Sequence, residues 1–402
     1  MRAKTRCHRS PNFLKRRFVY LFAYHNTTQN KKISFCSQSL KWNCRHESNR
    51  TMKVKFTLRR FLRPSSLLFF VCIIHCVSAS AFVPRNSNGI SSSSSSSSLS
   101  LSIFSILKPA AVPSPSVSIK SYHHKNWKLT HRYKPASPGF EDESPLLLIH
   151  PVGIGLSSWF WERVMDAWTG PAMYAPNLIG CGVQEGSDPW DPDQQGLSFP
   201  LGWVQGCETL MQESSTSGAL PLNTFTVVVQ GGLAPVGLLL ASRNPQTVGK
   251  LIFASPPRWK EMTTSVPQVE LERNYNFLRS PVLGNLAFSF LESRKAVEFF
   301  SNQFLFSEPC DEEWLEKGEK ESCVEARPPV MAFNAGFCNH RSFEKELLAL
   351  EQPTLVVGGE ADKRQRQEYT EKMNNCILTN IPGQNVLPWE SPELFVEAIN
   401  NF

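Results

Sequence analysis

Residues 146–150 (LLLIH), 225–229 (FTVVV) and 354–357 (TLVV) are apolar almost without interruption, and each run gives way to a glycine-bearing turn. A strand that is apolar at successive positions has both faces buried, which a parallel sheet covered by helices provides. Further strand-like segments are residues 127–133, 172–175, 251–254 and 376–381. Helical spacing occupies residues 159–168, 203–211, 236–242 and 393–402 between and after them. Alternation of this kind predicts an α/β fold with a mostly parallel sheet flanked by helices. Residues 183–200, rich in Gly, Pro, Asp and Gln, read as a loop. Residues from about 259 to 350 are mostly helix-patterned and break the alternation. They are expected to form a helical cap insertion over the strand ends, where open α/β sheets hold their ligands.

Charge is unevenly spread. Residues 1–65 carry 17 Lys and Arg against one acid, Glu47, whereas residues 136–402 carry 18 Lys and Arg against 34 Asp and Glu. The overall net charge of +7 therefore belongs to the leader, and the folded part is acidic. An acidic domain repels phosphate backbones, which argues against a nucleic-acid partner. Cys181, Cys207, Cys310, Cys323, Cys338 and Cys376 lie in the folded part without metal-site spacing, so no metal or other cofactor is expected and the thiols read as packed and reduced.

Residues 1–121 read as a targeting leader and a low-complexity segment, and residues 122–402 as the folded domain. Within the leader, Met52 opens a basic stretch. The apolar run of residues 67–77 (LLFFVCIIHCV) follows, and small residues come after it. Basic, apolar, then small is the pattern of a signal peptide, here about residues 52–81. The run is too short for a permanent membrane span. Residues 79–84 (ASAFVP) resemble the junction of diatom and related algal plastid preproteins, where a transit peptide follows the signal peptide at once. Residues 82–121 fit that resemblance, with a serine run at 91–98 and no acid between Glu47 and Glu141. The resemblance implies delivery to the plastid through the secretory pathway.

Four marks of the domain, in order, resemble the α/β-hydrolase superfamily, and their tone is closest to a plant and cyanobacterial branch. Residues 150–153 (HPVG) look like its oxyanion loop. Residues 177–182 (NLIGCG) are similar to its D-x-x-G-x-G turn, with Asn177 in place of Asp. Residues 230–234 (QGGLA) stand where the nucleophile elbow belongs, and residues 353–362 and 382–392 resemble the segments that carry the acid and the histidine. The resemblance implies a triad at Gly232, Asp362 and Val386, and only Asp362 keeps a suitable residue. Glycine has nothing to attack with, and the neighbouring registers, Gly231 and Leu233, are no better. Valine cannot transfer protons, and no histidine follows His340. From Trp127 onward the other histidines are His131 and His150, of which His150, with Gly231 and Cys181, is a candidate pocket residue. Backbone N–H groups of Val152, Gly153 and Leu233 remain as expected oxyanion-type donors. The sequence thus suggests a non-hydrolytic protein that binds a small apolar or carboxylated ligand or a protein partner. The alternatives are an enzyme of esterase, lyase or isomerase type using His150 or Asp362, and a structural or assembly partner whose pocket is closed.

Overall fold

The structure, a computed structural model, describes residues 116–191, 200–216, 224–360 and 363–402. The expected signal peptide, most of the transit-like segment and Asp362 lie outside the described residues. Among the described residues eight strands form one sheet: β1 Ser118–His124, β2 Trp127–Lys134, β3 Leu146–Ile149, β4 Met173–Pro176, β5 Phe225–Gln230, β6 Val248–Ala254, β7 Thr354–Gly359 and β8 Cys376–Ile381. Their spatial order is β1-β2-β4-β3-β5-β6-β7-β8. β2 runs antiparallel to both β1 and β4, and every pairing from β4 to β8 is parallel.

β1 begins at Ser118, inside the segment that the sequence assigns to the leader. Only Tyr122 and His124 of this edge strand are buried, so its composition carries little apolar signal. It is held by a tight hairpin onto β2, with Lys125 at a left-handed φ of 53°.

The continuous apolar strands sort their side chains by parity, as period-2 geometry requires. Leu147, Ile149, Val227, Val229, Leu251, Phe253 and Val356 face one core. Leu146, Leu148, Val228, Ile252, Ala254, Leu355 and Val357 face the other. Helices cover both: α1 Glu162–Ala167, α2 Leu201–Thr216, α3 Ala234–Arg243, then an insertion between β6 and β7, then α11 Lys363–Lys372, α12 Leu387–Glu390 and α13 Pro392–Asn400. The insertion comprises α4 Trp259–Thr263, α5 Gln268–Leu278, α6 Leu283–Leu291, α7 Arg294–Phe300, α8 Glu312–Glu321, α9 Arg327–Ala335 and α10 Glu344–Ala349. No helix among the described residues is long and apolar enough to cross a membrane.

α8 is firmly seated. Asp311 caps it by accepting from Trp314 N–H at 2.8 Å, and Glu312 and Glu313 complement the positive end of its dipole. Trp314 then packs edge-on against Trp159, Trp389 and Phe306, with ring centroids 5.3, 5.5 and 4.9 Å apart. Beside this cluster Gly155, at φ +66°, lies so close to α8 that a Cβ there would stand 1.9 Å from the Gly318 carbonyl oxygen. Only glycine fits that conformation and that approach.

Candidate functional site

The turn from β5 into α3 is the centre of the site. β5 pairs with β6 through Gln230. A single 3-10 turn, Gly231–Leu233, follows, and α3 starts at Ala234 with Pro235 in its first turn. The left-handed residue of this turn is Gly231, at φ +58°, and a Cβ added there meets nothing within 4 Å. Gly232, where the sequence register put the apex, has no left-handed φ, and a Cβ on it would lie 2.5 Å from Cζ of Phe333. In a nucleophile elbow the strained residue is the one that projects, so the geometry moves the apex one residue ahead, to Gly231. The donor following that apex is Gly232 N–H rather than that of Leu233.

The shift also changes which residues flank the apex. Val229 and Leu233 then hold the positions where such turns carry small side chains. Close strand–helix packing is recovered from the helix side, because Gly237 faces Val229 and a Cβ on Gly237 would stand 2.6 Å from Val229 Cγ1. Gln230 is buried, and its Nε2 donates to the Asn385 carbonyl at 2.5 Å.

Asn385 joins three parts of the chain. Its N–H donates to Leu305 O at 2.9 Å and its Nδ2 to Phe304 O at 2.5 Å, both in the insertion, while its carbonyl receives Gln230. Val386, the next residue, caps α12 and is buried among Leu387, Trp389 and Phe395. Sequence reasoning missed Gln230 and Asn385. The only available signal was a long amide where the aligned turn expects a small residue.

The remaining sequence candidates are engaged by backbone groups or packed among core side chains. His150 is fully buried, with Nδ1 2.7 Å from Pro151 O and Nε2 accepting from Leu178 N–H at 3.2 Å. An Nε2 that accepts leaves the proton on Nδ1, so the ring is neutral and both nitrogens are engaged. Burial pushes its pKa down to about 4. His150 therefore ties the loop of residues 150–153 to the Asn177 turn and is not among the residues lining the hollow described below. Cys181 is buried as well, and burial pushes its thiol up to about 12, so it is not an activated nucleophile. His131 is packed between Tyr122 and Tyr174, with ring centroids 5.7 and 6.0 Å away. His340 is half-buried in the insertion, with Nδ1 3.1 Å from Phe337 O. Ser255 ends β6 at a left-handed φ of 46°, donating to the Gln384 carbonyl at 3.4 Å.

Beneath the loop of residues 150–153 lies a buried polar cluster. Asn177 Oδ1 accepts from Ser158 N–H at 2.8 Å, and its Nδ2 lies 2.8 Å from both Thr130 Oγ1 and Glu185 Oε2. Arg132 forks onto Glu185 at 2.6 and 2.5 Å and also reaches Glu162. This explains asparagine where the resembling family has aspartate: the amide donates to Glu185, whereas a carboxylate would repel it. Asn177→Asp is expected to lower stability by roughly 2 kcal/mol through the lost donors and the like charge, as read from the midpoint of urea unfolding.

A shallow hollow with a cavity volume of about 10 Å³ lies between the loop and the insertion, lined by Ile154, Gly155, Phe288, Cys323, Arg327 and Val330. Val330 and Phe333 stand three residues apart on α9 and so share a face. The hollow thus lies one turn along α9 from the phenyl ring that covers Gly232.

No protein-family model matches the sequence, and no curated protein does. Solved structures do resemble it. A haloalkane dehalogenase from Bradyrhizobium elkani is 17% identical with a TM-score of 0.52, over 71% of this chain and 97% of its own. A serine hydrolase from the aromatic-hydrocarbon-degrading Cycloclasticus zankles is 15% identical (TM-score 0.52, 71% and 96%). A putative lipase from Acinetobacter baumannii is 16% identical (TM-score 0.52, 71% and 90%). At these identities the likeness establishes the α/β-hydrolase fold.

Proposed function

We propose that this chain is a plastid protein of the α/β-hydrolase fold that performs no hydrolysis and acts by binding. The observation that carries the reading is Gly231: the residue in the elbow's left-handed position has no side chain, although a Cβ would meet nothing there. Val386, buried beside Asn385, cannot take the part of a base. The two histidines nearest to hand as substitutes, His150 and His340, have their Nδ1 atoms on backbone carbonyls. The plastid part of the reading rests on the leader's sequence alone, from Met52 through the junction at residues 79–84.

Among binding roles, a protein partner or an assembly role is favoured over a small ligand seated at the elbow. Phe333 lies against Gly232, and the hollow beside it, at about 10 Å³, is far below the few hundred Å³ of ordinary ligand pockets. The backbone N–H groups of Gly232, Val152 and Gly153 would still suit a carboxylate or carbonyl oxygen reaching them past Phe333.

The test is turnover of short-chain p-nitrophenyl esters by the purified protein. The expected result is a rate equal to that of buffer. Saturable turnover that is lost in His150→Ala or Asp362→Asn would overturn the binding reading and favour an enzyme with an unusual constellation.

A further inference from the structure

The sheet ends at β1 on one side and at β8 on the other, and the two edges are built differently. β1 presents Lys120 and His123 to solvent, and charge of this kind keeps a foreign strand from pairing. β8 has no such protection. It pairs with β7 without a bulge, contains no proline, and no charged residue stands between Lys372 and Glu390. Of its residues only Ile381 is buried, and Ile377 is 51% exposed.

The ladder fixes which groups of β8 point outward. Thr354 N–H donates to Asn375 O at 2.8 Å, and Thr354 stands opposite Cys376. Along a strand the N–H and C=O of one residue turn to the same side, and successive residues alternate. Ile377, Thr379 and Ile381 therefore bond to β7, and Cys376, Leu378 and Asn380 turn their N–H and C=O away from it. Among the described residues no hydrogen bond reaches those outward groups.

A row of unpaired backbone donors and acceptors is satisfied by another strand, not by a lipid or an apolar helix face. A second copy of this chain supplies one. Joined antiparallel about a two-fold axis at Leu378, the two β8 strands set Leu378 opposite Leu378, Ile377 opposite Thr379 and Cys376 opposite Asn380, and no charge meets its like across them. Residues 136–402 hold 34 acids against 18 bases, so most of the domain's surface opposes self-association. The β8 edge is the exception. It carries no charge, and α11, packed on one face of it, mixes Lys363, Arg364, Arg366 and Lys372 with Glu368 and Glu371, while α13, on the opposite face, packs back onto α1. Pairing β8 with β1 of a further copy would be head-to-tail and would not close, whereas β8 with β8 uses one patch twice and closes as a dimer.

We propose that the β8 edge joins two copies of this chain, their sheets running on into one continuous sheet across a two-fold axis. The inference does not rest on what the elbow does.

The test is sedimentation velocity of the full chain at rising protein concentration, together with residue-resolved hydrogen exchange. The expected result is a shift from a one-chain to a two-chain mass, with slower exchange at Cys376, Leu378 and Asn380 and no change at Ile377 and Thr379, which β7 already holds. Leu378→Pro removes an outward N–H and no bond to β7, and is expected to keep a one-chain mass throughout. Ile377→Lys, at an exposed position, brings like charges near the axis from both copies. It is expected to dimerise at least ~10-fold more weakly with an unchanged melting temperature, and it decides the matter if the proline variant fails to fold. The proposal is overturned by a one-chain mass at every concentration, whether the three outward amides exchange freely or are already slowed by another segment of the chain. A two-chain mass with unchanged exchange at those amides, or Ile377→Lys dimerising like the wild type, also overturns it.

Discussion

Replacing Arg132 by methionine is expected to lower the free energy of unfolding by about 3–5 kcal/mol at pH 7, as measured by urea unfolding followed by tryptophan fluorescence. Methionine keeps most of the side-chain volume, so the loss isolates the charge. Arg132 is 6% exposed and forks onto Glu185, reaches Glu162 at 2.8 Å and donates to Ser158 Oγ at 2.6 Å. Without it Glu185 becomes a buried carboxylate with only the Asn177 amide and the Ser158 hydroxyl as donors. The pH dependence follows in sign. Burial pushes the Glu185 carboxyl up, but the hydrogen bond and charge of Arg132 outweigh it and hold the group below its ordinary value. A depressed carboxylate contributes stability above its unfolded pKa and loses it as pH falls through the folded one. The gap between wild type and Arg132→Met should therefore narrow below about pH 4.

The second large effect has the opposite sign. Glu321, the last residue of α8, is buried, and its Oε2 has no hydrogen-bond partner. Burial, and then the nearby charge of Glu185, push it up to about 7, with Arg132 and Lys320 pulling the other way. A carboxyl that binds its proton more tightly when folded imposes no penalty below its unfolded pKa, near 4.5. The penalty grows as pH rises and is complete above about 7. Glutamine mimics the protonated form. Glu321→Gln should therefore match the wild type at pH 4 and exceed it by on the order of 2–3 kcal/mol at pH 8, seen as a rise in melting temperature that grows with pH.

The fold was legible in the sequence because its signal is local and repeated. Apolar runs at residues 146–150, 225–229 and 354–357 became β3, β5 and β7, and residues 376–381 became β8. β1 was not legible, since an edge strand with two buried side chains has almost no periodic pattern to read. The conformation of the turn after β5 was not legible: the sequence pattern put its apex at Gly232, and the left-handed residue is Gly231. Two adjacent glycines, Gly231 and Gly232, left the register open to a pattern count. Backbone conformation resolved it, as only Gly231 is left-handed. The ties around the site were illegible for a different reason. Gln230 to Asn385, Arg132 to Glu185 and Phe333 against Gly232 join residues far apart in sequence, and nothing in their local neighbourhoods announces the partner.

The seating of α8 bears on how the chain unfolds. Trp314 of the insertion shares a core with Trp159 and Trp389 of the sheet layers, and Leu278, Phe288, Val330 and Ala332 share the opposite core with Val229 and Leu233. The 99 residues between β6 and β7 have no core of their own to retain if the sheet comes apart, and the sheet's helices lose ring contacts if the insertion lifts. Sheet and insertion thus gain and lose structure together, as one cooperative unit whose assembly waits on contacts between residues more than 150 positions apart, such as Glu162 with Lys317.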